Sequence, residues 1–116
     1  MFRQMPNRRS ASLDRLFQGL ADPTRRRVIE RLSAGPAPVS ELARSSRMAL
    51  PSFVQHLRVL EDAGVIRSRK TGRVRTCWLT PQPLRLAESW LEQQRAHWNR
   101  RLDQLDAYLI QLREKS

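Results

Sequence analysis

The hydrophobic period of this chain changes at Gly64, and that change constrains the fold more than any other feature of the sequence. Before Gly64, apolar residues recur at the three- and four-residue spacing of amphipathic helices. After it come two short runs rich in β-branched residues, 65–70 and 73–80, separated by Thr71-Gly72, which predict a β-hairpin. Helices followed by a single hairpin predict a mainly α fold with a small β-hairpin, of the α+β class.

The first two helices have recognisable patterns. The apolar stripe of the first helix consists of Leu13, Leu16, Phe17 and Leu20. The second begins at Pro23, where the carboxylate of Asp22 can cap it, and it ends where Gly35 and Pro36 break the pattern.

The next two helices predict a helix-turn-helix. Ser40 can cap a short third helix that runs from Glu41 to about Ser45, and a tight turn follows. Pro51 then opens a fourth helix that ends at Ala63, before a C-terminal glycine. Two short helices across a tight turn are typical of DNA-binding proteins.

The fourth helix, residues 51–63, carries side chains that suit base recognition. A helical wheel places Ser52, Gln55 and Arg58 opposite its apolar stripe. A major groove about 12 Å wide takes one α-helix, and Gln and Arg recognise the edges of adenine and guanine. This pattern predicts a recognition helix. His56, at the edge of the apolar stripe, either contacts a phosphate or packs under the preceding helix.

The hairpin concentrates positive charge. Segment 67–75 has no acidic residue and five cations, which are Arg67, Arg69, Lys70, Arg73 and Arg75. The whole chain has a net charge of +11, which favours a polyanionic partner. Cations on a hairpin beside a groove-bound helix reach the flanking backbone or minor groove, where each neutralised phosphate releases counterions. We therefore predict DNA contacts from Arg69, Lys70, Arg73 and Arg75.

The C-terminal segment predicts one long helix. It has no Gly or Pro after Pro83, and at 1.5 Å per residue a helix to Lys115 would be about 45 Å long, more than so small a domain covers. Its apolar residues recur every seven positions, so we expect part of the stripe to pack on the first helix and the rest on a second chain. The predicted dimer interface is Leu13, Phe17, Trp90, Leu91, Trp98, Leu102, Leu105 and Leu109.

The predicted order is α-α-α-α-β-β-α, that of a winged helix-turn-helix protein which dimerises through its terminal helices. Residues 1–11 are polar and basic and are predicted to form a flexible arm. Residues 12–82 form the DNA-binding domain in this interpretation, and residues 83–116 form the dimerisation helix.

Several segments resemble the ArsR (arsenical-resistance) family of bacterial winged-helix repressors: LADPTRRRVIERL, VSELA, LPSFVQHLRVLEDAGVI and TGRVRTCWL. The tail AESWLEQQRAHWNRRLDQLDAYL resembles one branch of that family, and the resemblance covers roughly residues 13–112. It implies a homodimer that binds a palindromic operator in double-stranded DNA and represses transcription. It also implies DNA contacts from Ser52, Gln55 and His56, supported by Arg73 and Arg75. Most relatives have Ser or Thr where this chain has Ala49, so a capping hydroxyl is missing at the recognition helix.

The sequence does not indicate a metal sensor of the founding type. Those family members bind metals through cysteine pairs in the third helix or through His and carboxylates on the terminal helices. This chain has VSELARSS in the third helix and one cysteine, Cys77, too few sulfurs for a thiolate site. Cys77 aligns with a position that is usually aromatic in this branch, which indicates a core-facing residue rather than a redox switch. We expect no cofactor, although a cavity between the dimer helices could hold a small-molecule effector.

No nucleophile–base pair, phosphate loop or metal motif indicates an enzyme. The single cysteine and the lack of an apolar run of about 20 residues indicate a cytoplasmic protein without a membrane segment. The leading hypothesis is a sequence-specific repressor. The alternative is a non-specific or architectural nucleic-acid-binding protein that uses the same charge without base readout.

Overall fold

The computed structural model describes residues 8–115. Its elements, in chain order, are α1 (Arg8–Leu20), α2 (Pro23–Leu32), β1 (Ala37–Pro38), α3 (Val39–Ser46), α4 (Leu50–Asp62), β2 (Ile66–Thr71), β3 (Val74–Leu79) and α5 (Pro81–Glu114). This order confirms the mainly helical α+β prediction and the winged helix-turn-helix architecture. The predicted arm lies outside the described residues over positions 1–7, and its remainder, 8–11, belongs to α1.

The chain divides into two compact units, one up to Leu86 and one from Ala87 onwards. The core of the first unit is formed where the four N-terminal helices meet the sheet. Its most completely buried large side chains are Leu16, Phe53, Leu60, Val65, Ile66 and Cys77. The helix-turn-helix and the hairpin are therefore built on one shared core.

The sheet has a third strand that the sequence analysis missed. β1 pairs antiparallel with β3, Ala37 opposite Cys77 and Pro38 opposite Thr76, so the strand order is β1-β3-β2. A two-residue strand is too short to show alternation, and its proline made the segment resemble a turn. β1 anchors the start of α3 to the base of the hairpin.

The start of α3 also corrects the predicted cap. The helix begins at Val39, directly after the extended Pro38, and no side chain caps it. Ser40 therefore lies inside the helix, because pairing of Pro38 with β3 ends only one residue before helical geometry starts. Glu41, in the first turn of α3, forms an exposed ion pair of 3.0 Å with Arg31 of α2.

The cap predicted for α2, the missing cap of α4 and its C-terminal glycine are all confirmed. The carboxylate of Asp22 accepts a hydrogen bond of 3.1 Å from the backbone N–H of Arg25, and Pro23 is the first residue of α2. α4 has Ala49 at its N-cap and no side-chain cap. Gly64 follows its C-terminus at φ +73°, the left-handed conformation that glycine adopts without strain.

Cys77 lies in the core, 1% exposed. Burial raises the pKa of its thiol, the negative charge of Glu61 raises it further, and Arg75 acts in the opposite direction. Because the thiolate is the reactive form, this environment makes Cys77 a structural residue of low reactivity.

Candidate nucleic-acid interface

α4 presents a continuous polar face to solvent. Its apolar stripe packs into the core, since Phe53 and Leu57 are buried. Ser52, Gln55 and Arg58 lie on the opposite side and are exposed. The structure thus brings together on one helix face the three side chains that the sequence assigned to base recognition. They offer a hydroxyl, an amide and a guanidinium group.

His56 is tied to the second helix. Nη1 of Arg25 lies 3.0 Å from Nδ1 of His56, and because a guanidinium only donates, Nδ1 is the acceptor. The same ring nitrogen lies 3.7 Å from a carboxylate oxygen of Asp22. Within the described chain, Nε2 has no hydrogen-bond partner, and the only buried side-chain N or O atom without one is Thr80 Oγ1. His56 therefore packs against α2 through one edge and exposes a donor at the other.

Arg25 and Arg26 of the basic second helix form hydrogen bonds that stabilise the end of α1. Arg25 donates from Nε to the carbonyl of Gly19 and from Nη2 to that of Gln18, both at 2.9 Å. Arg26 donates to the carbonyl of Leu20 at 2.7 Å. α1 has no basic residue in its own last turn, so these two guanidinium groups satisfy carbonyls at its C-terminal end.

The register of the hairpin separates its cations. Side chains alternate between the two faces of a strand. Lys70 pairs with Arg75, and this pair shares a face with the buried Cys77. Arg67 and Arg69 lie on the other face of the sheet. Arg69 is thus not grouped with the other cations that the sequence assigned to DNA, because the grouping depends on the register.

The tip of the hairpin is a two-residue loop, Gly72-Arg73. Gly72 has φ +62°, as the first central residue of a type II′ turn requires. Arg73 is exposed and makes no hydrogen bond or ion pair with any other residue in the described range. Its guanidinium group is available to a ligand.

An open cleft of about 380 Å³ joins the wing to the starts of α3 and α4. Its lining residues are Pro38, Val39, Ser40, Leu50, Lys70, Arg73, Val74 and Arg75. Neither helix has a side-chain cap, so N–H groups in their first turns lack a side-chain acceptor. Free N–H groups facing several cations favour an anion with many oxygen atoms, such as phosphate.

Arg75 also couples the wing to the recognition helix. It donates from Nη1 to the hydroxyl of Ser68 at 3.0 Å, and that hydroxyl donates to Glu61 of α4 at 3.3 Å. These residues line a second cleft, of about 250 Å³, together with Arg58. One N–H of Arg75 is thus used within the protein, whereas Arg73 is unengaged.

One cation near the start of α4 was not predicted from the sequence. Arg47, in the turn between α3 and α4, is exposed and has φ +57°. A turn rich in Ser and Gly would have signalled this geometry, but arginine is not a residue typical of the left-handed region.

The second unit presents an apolar stripe along α5. Its large residues are between 48% and 64% exposed: Leu91, Trp98, Leu102, Leu105, Leu109 and Leu112. Trp90 and, in the first unit, Phe17 are also exposed, at 36% and 37%. Leu13, the remaining residue predicted for the dimer interface, is only 7% exposed because α1 packs on α2 and α4. It offers a second chain little surface.

Residues 8–115 contain no helix long and apolar enough to cross a membrane. Over the same range, His, Cys, Asp and Glu side chains do not gather into any group of three or more that could hold a metal ion.

A helix-turn-helix domain family matches residues 20–69. The HTH-type transcriptional regulator Rv2034 of Mycobacterium tuberculosis (strain ATCC 25618 / H37Rv) is 41% identical over 91 residues, which cover 78% of this chain and 82% of that protein.

Similar solved structures include the following two. The crystal structure of an ArsR family transcriptional regulator, RHA00566, has a TM-score of 0.75 and 51% identity, covering 84% of this chain and 97% of that chain. The solution NMR structure of the homodimeric winged helix-turn-helix DNA-binding domain Mb0332 from Mycobacterium bovis has a TM-score of 0.60, covering 80% and 91%. At 18% identity, this second likeness shows the fold alone.

Proposed function

Because this chain belongs to the ArsR family of winged helix-turn-helix transcriptional regulators, which bind DNA, we propose that it is a repressor that binds a palindromic operator as a homodimer. In this proposal α4 enters the major groove, and the wing contacts the flanking backbone or minor groove. The proposal assigns the chain no catalytic role and places it in the cytoplasm.

The observation that carries the proposal is the arrangement around the start of α4. Its exposed face holds Ser52, Gln55 and Arg58, and the cleft at its N-terminus is lined by Lys70, Arg73 and Arg75 without a carboxylate. Groups suited to base edges and groups suited to phosphates thus adjoin on one surface. In DNA-binding proteins, phosphate contacts position the protein on the duplex and base contacts determine its sequence specificity.

The proposal gives each of these side chains a role. Gln55 and Arg58 would hydrogen-bond base edges, and Ser52 would contact a base or a phosphate. The exposed Nε2–H of His56 would donate to a phosphate. Arg73 would contact the backbone directly, and Lys70 and Arg75 would support it from the face that meets α4.

The apolar stripe of α5 supports the homodimer. Leucine and tryptophan side chains that are half exposed over several helical turns exceed the scattered apolar residues of an ordinary monomer surface. Two copies related by a two-fold axis would bury the stripe and present two recognition helices to half-sites about 34 Å apart. A small-molecule effector could act at this interface, although no polar cluster there identifies its chemistry.

A substitution on α4 tests sequence reading. Gln55→Ala should reduce the preference for an operator over a scrambled duplex by about 1–3 kcal/mol in free energy, while non-specific binding changes little. Glu88→Ala, on the exposed surface of α5, is the control. If wild type shows no preference and Gln55→Ala changes nothing, the alternative of a non-specific or architectural protein is favoured, because such binding rests on charge alone. A preference that survives Gln55→Ala would remove Gln55 from the base contacts.

A further inference from the structure

Arg47 is the only non-glycine residue of the described chain with a positive φ, +57°. It is the C-cap residue of α3 and lies in the turn that leads to the recognition helix. An L-residue with a side chain adopts this left-handed conformation at a cost of roughly 1–2 kcal/mol, whereas glycine adopts it without strain.

The conformation is fixed by the hydrogen bonds of the turn. The hydroxyl of Ser46 donates to the carbonyl of Ala43 at 2.7 Å and accepts from the N–H of Met48 at 3.2 Å. Arg47 lies between the two ends of this bridge. The backbone of Arg47 therefore cannot leave the left-handed conformation without breaking the turn that orients α4.

The charge of Arg47 lies between two helix ends of opposite polarity. As the C-cap residue of α3 it meets the partial negative charge of that C-terminus, and the N-terminus of α4, which begins three positions later at Leu50, carries a partial positive charge, so the two effects oppose each other. The exposed Arg47 side chain makes no hydrogen bond or ion pair within the described chain, so no contact in the fold accounts for an arginine at this left-handed position. For the fold alone, glycine or asparagine would be the better residue.

We propose that Arg47 is a DNA-backbone contact, which binds a phosphate beside the point where the N-terminus of α4 enters the major groove. This inference rests on the proposed DNA-facing role of α4 and extends the contact surface to the turn that precedes the helix. A phosphate there would pair with the unpartnered guanidinium group and would suit the positive end of α4, which gives the strained position a functional return.

The test compares stability with salt-dependent DNA binding in three variants. Arg47→Gly and Arg47→Asn remove the charge and fit the left-handed position, so the melting temperature should rise by roughly 3–6 °C, more for glycine. The same variants should lose about 0.9 from the slope of log affinity against log salt for each protomer, or about 1.8 for a dimer. Arg47→Lys keeps the charge and should keep the slope without the gain in stability.

Arg44→Ala is the matched control. Arg44 is exposed and lies in the last turn of α3, where a cation is favourable. Its removal should lower rather than raise the melting temperature and should leave the slope nearly unchanged. An unchanged slope in Arg47→Gly, or an equal fall in Arg44→Ala, would overturn the inference.

Measurement on two duplexes separates this inference from the proposed function. Phosphate contacts do not depend on sequence, so the slopes are determined both on the DNA upstream of the gene and on a scrambled duplex of the same length. A fall in slope on both duplexes supports the role of Arg47 even where wild type shows no preference between them, which would contradict the operator proposal alone.

Discussion

Leu105→Glu should dissociate the proposed dimer. Leu105 is 51% exposed on α5, so burial against a partner would remove from water about half of a leucine side chain. Complete burial of a leucine contributes about 1.5–3 kcal/mol, so half contributes about 1 kcal/mol, and the two copies together contribute about 2 kcal/mol. Two buried carboxylates would add a further cost of several kcal/mol.

The expected sum is at least 4 kcal/mol, which corresponds to roughly a thousandfold increase in the dimer dissociation constant. Leu105→Ala removes the apolar contribution without a buried charge and should weaken the dimer about thirtyfold. Sedimentation velocity over a range of protein concentrations measures both constants.

Arg100→Glu is the control, because Arg100 lies two residues after Trp98 and so on the opposite side of the helix from the stripe. It should remain as dimeric as wild type. If Leu105→Glu sediments as a dimer with an unchanged dissociation constant, the stripe is not the interface and the reasoning from exposed area fails.

Three further predictions concern the wing and the helix junction. Arg73→Ala should lower the salt slope of DNA binding by about 0.9 per protomer, whereas Arg100→Ala should not; equal slopes for both would remove the wing tip from the interface. Arg25→Ala should destabilise the fold by about 2–3 kcal/mol in urea unfolding, because three side-chain hydrogen bonds are lost, and Arg26→Ala, which loses one, should cost about 1 kcal/mol. Burial raises the pKa of Asp22, but hydrogen bonds from the Arg25 and Thr24 N–H groups and the nearby charge of Arg25 leave that pKa below its ordinary 3.8. The stability that this carboxylate confers is therefore complete above pH 3.8 and lost as pH falls through the lower folded pKa. Asp22→Asn should abolish that part of the acid dependence of unfolding, and an unchanged dependence would contradict it.

The sequence predicted the elements whose signals are local. The hairpin followed from the runs flanking Gly72, the cap of α2 from Asp22-Pro23, and the long helix from the absence of glycine and proline after Pro83. Each of these depends on residues within a few positions of one another.

The features that sequence reasoning missed depend on contacts between distant positions. β1 exists because Ala37 pairs with Cys77, and its pairing also displaced the expected cap at Ser40. The partner of His56 is Arg25, 31 residues earlier, which no helical spacing reveals. The register of β2 and β3 determines which wing cations lie on the face of the sheet that meets α4.

The central claim is sequence-specific DNA binding, and one titration tests it most directly. Purified protein is bound to the DNA upstream of its own gene and to a scrambled duplex of equal length at several salt concentrations. We expect a preference of about 10³ or more for the upstream DNA, which persists as salt rises and both affinities fall. Equal affinities for the two duplexes, which fall together as salt rises, would count against the claim. If duplexes selected from a random library are also bound no more tightly than the scrambled duplex, the claim is contradicted.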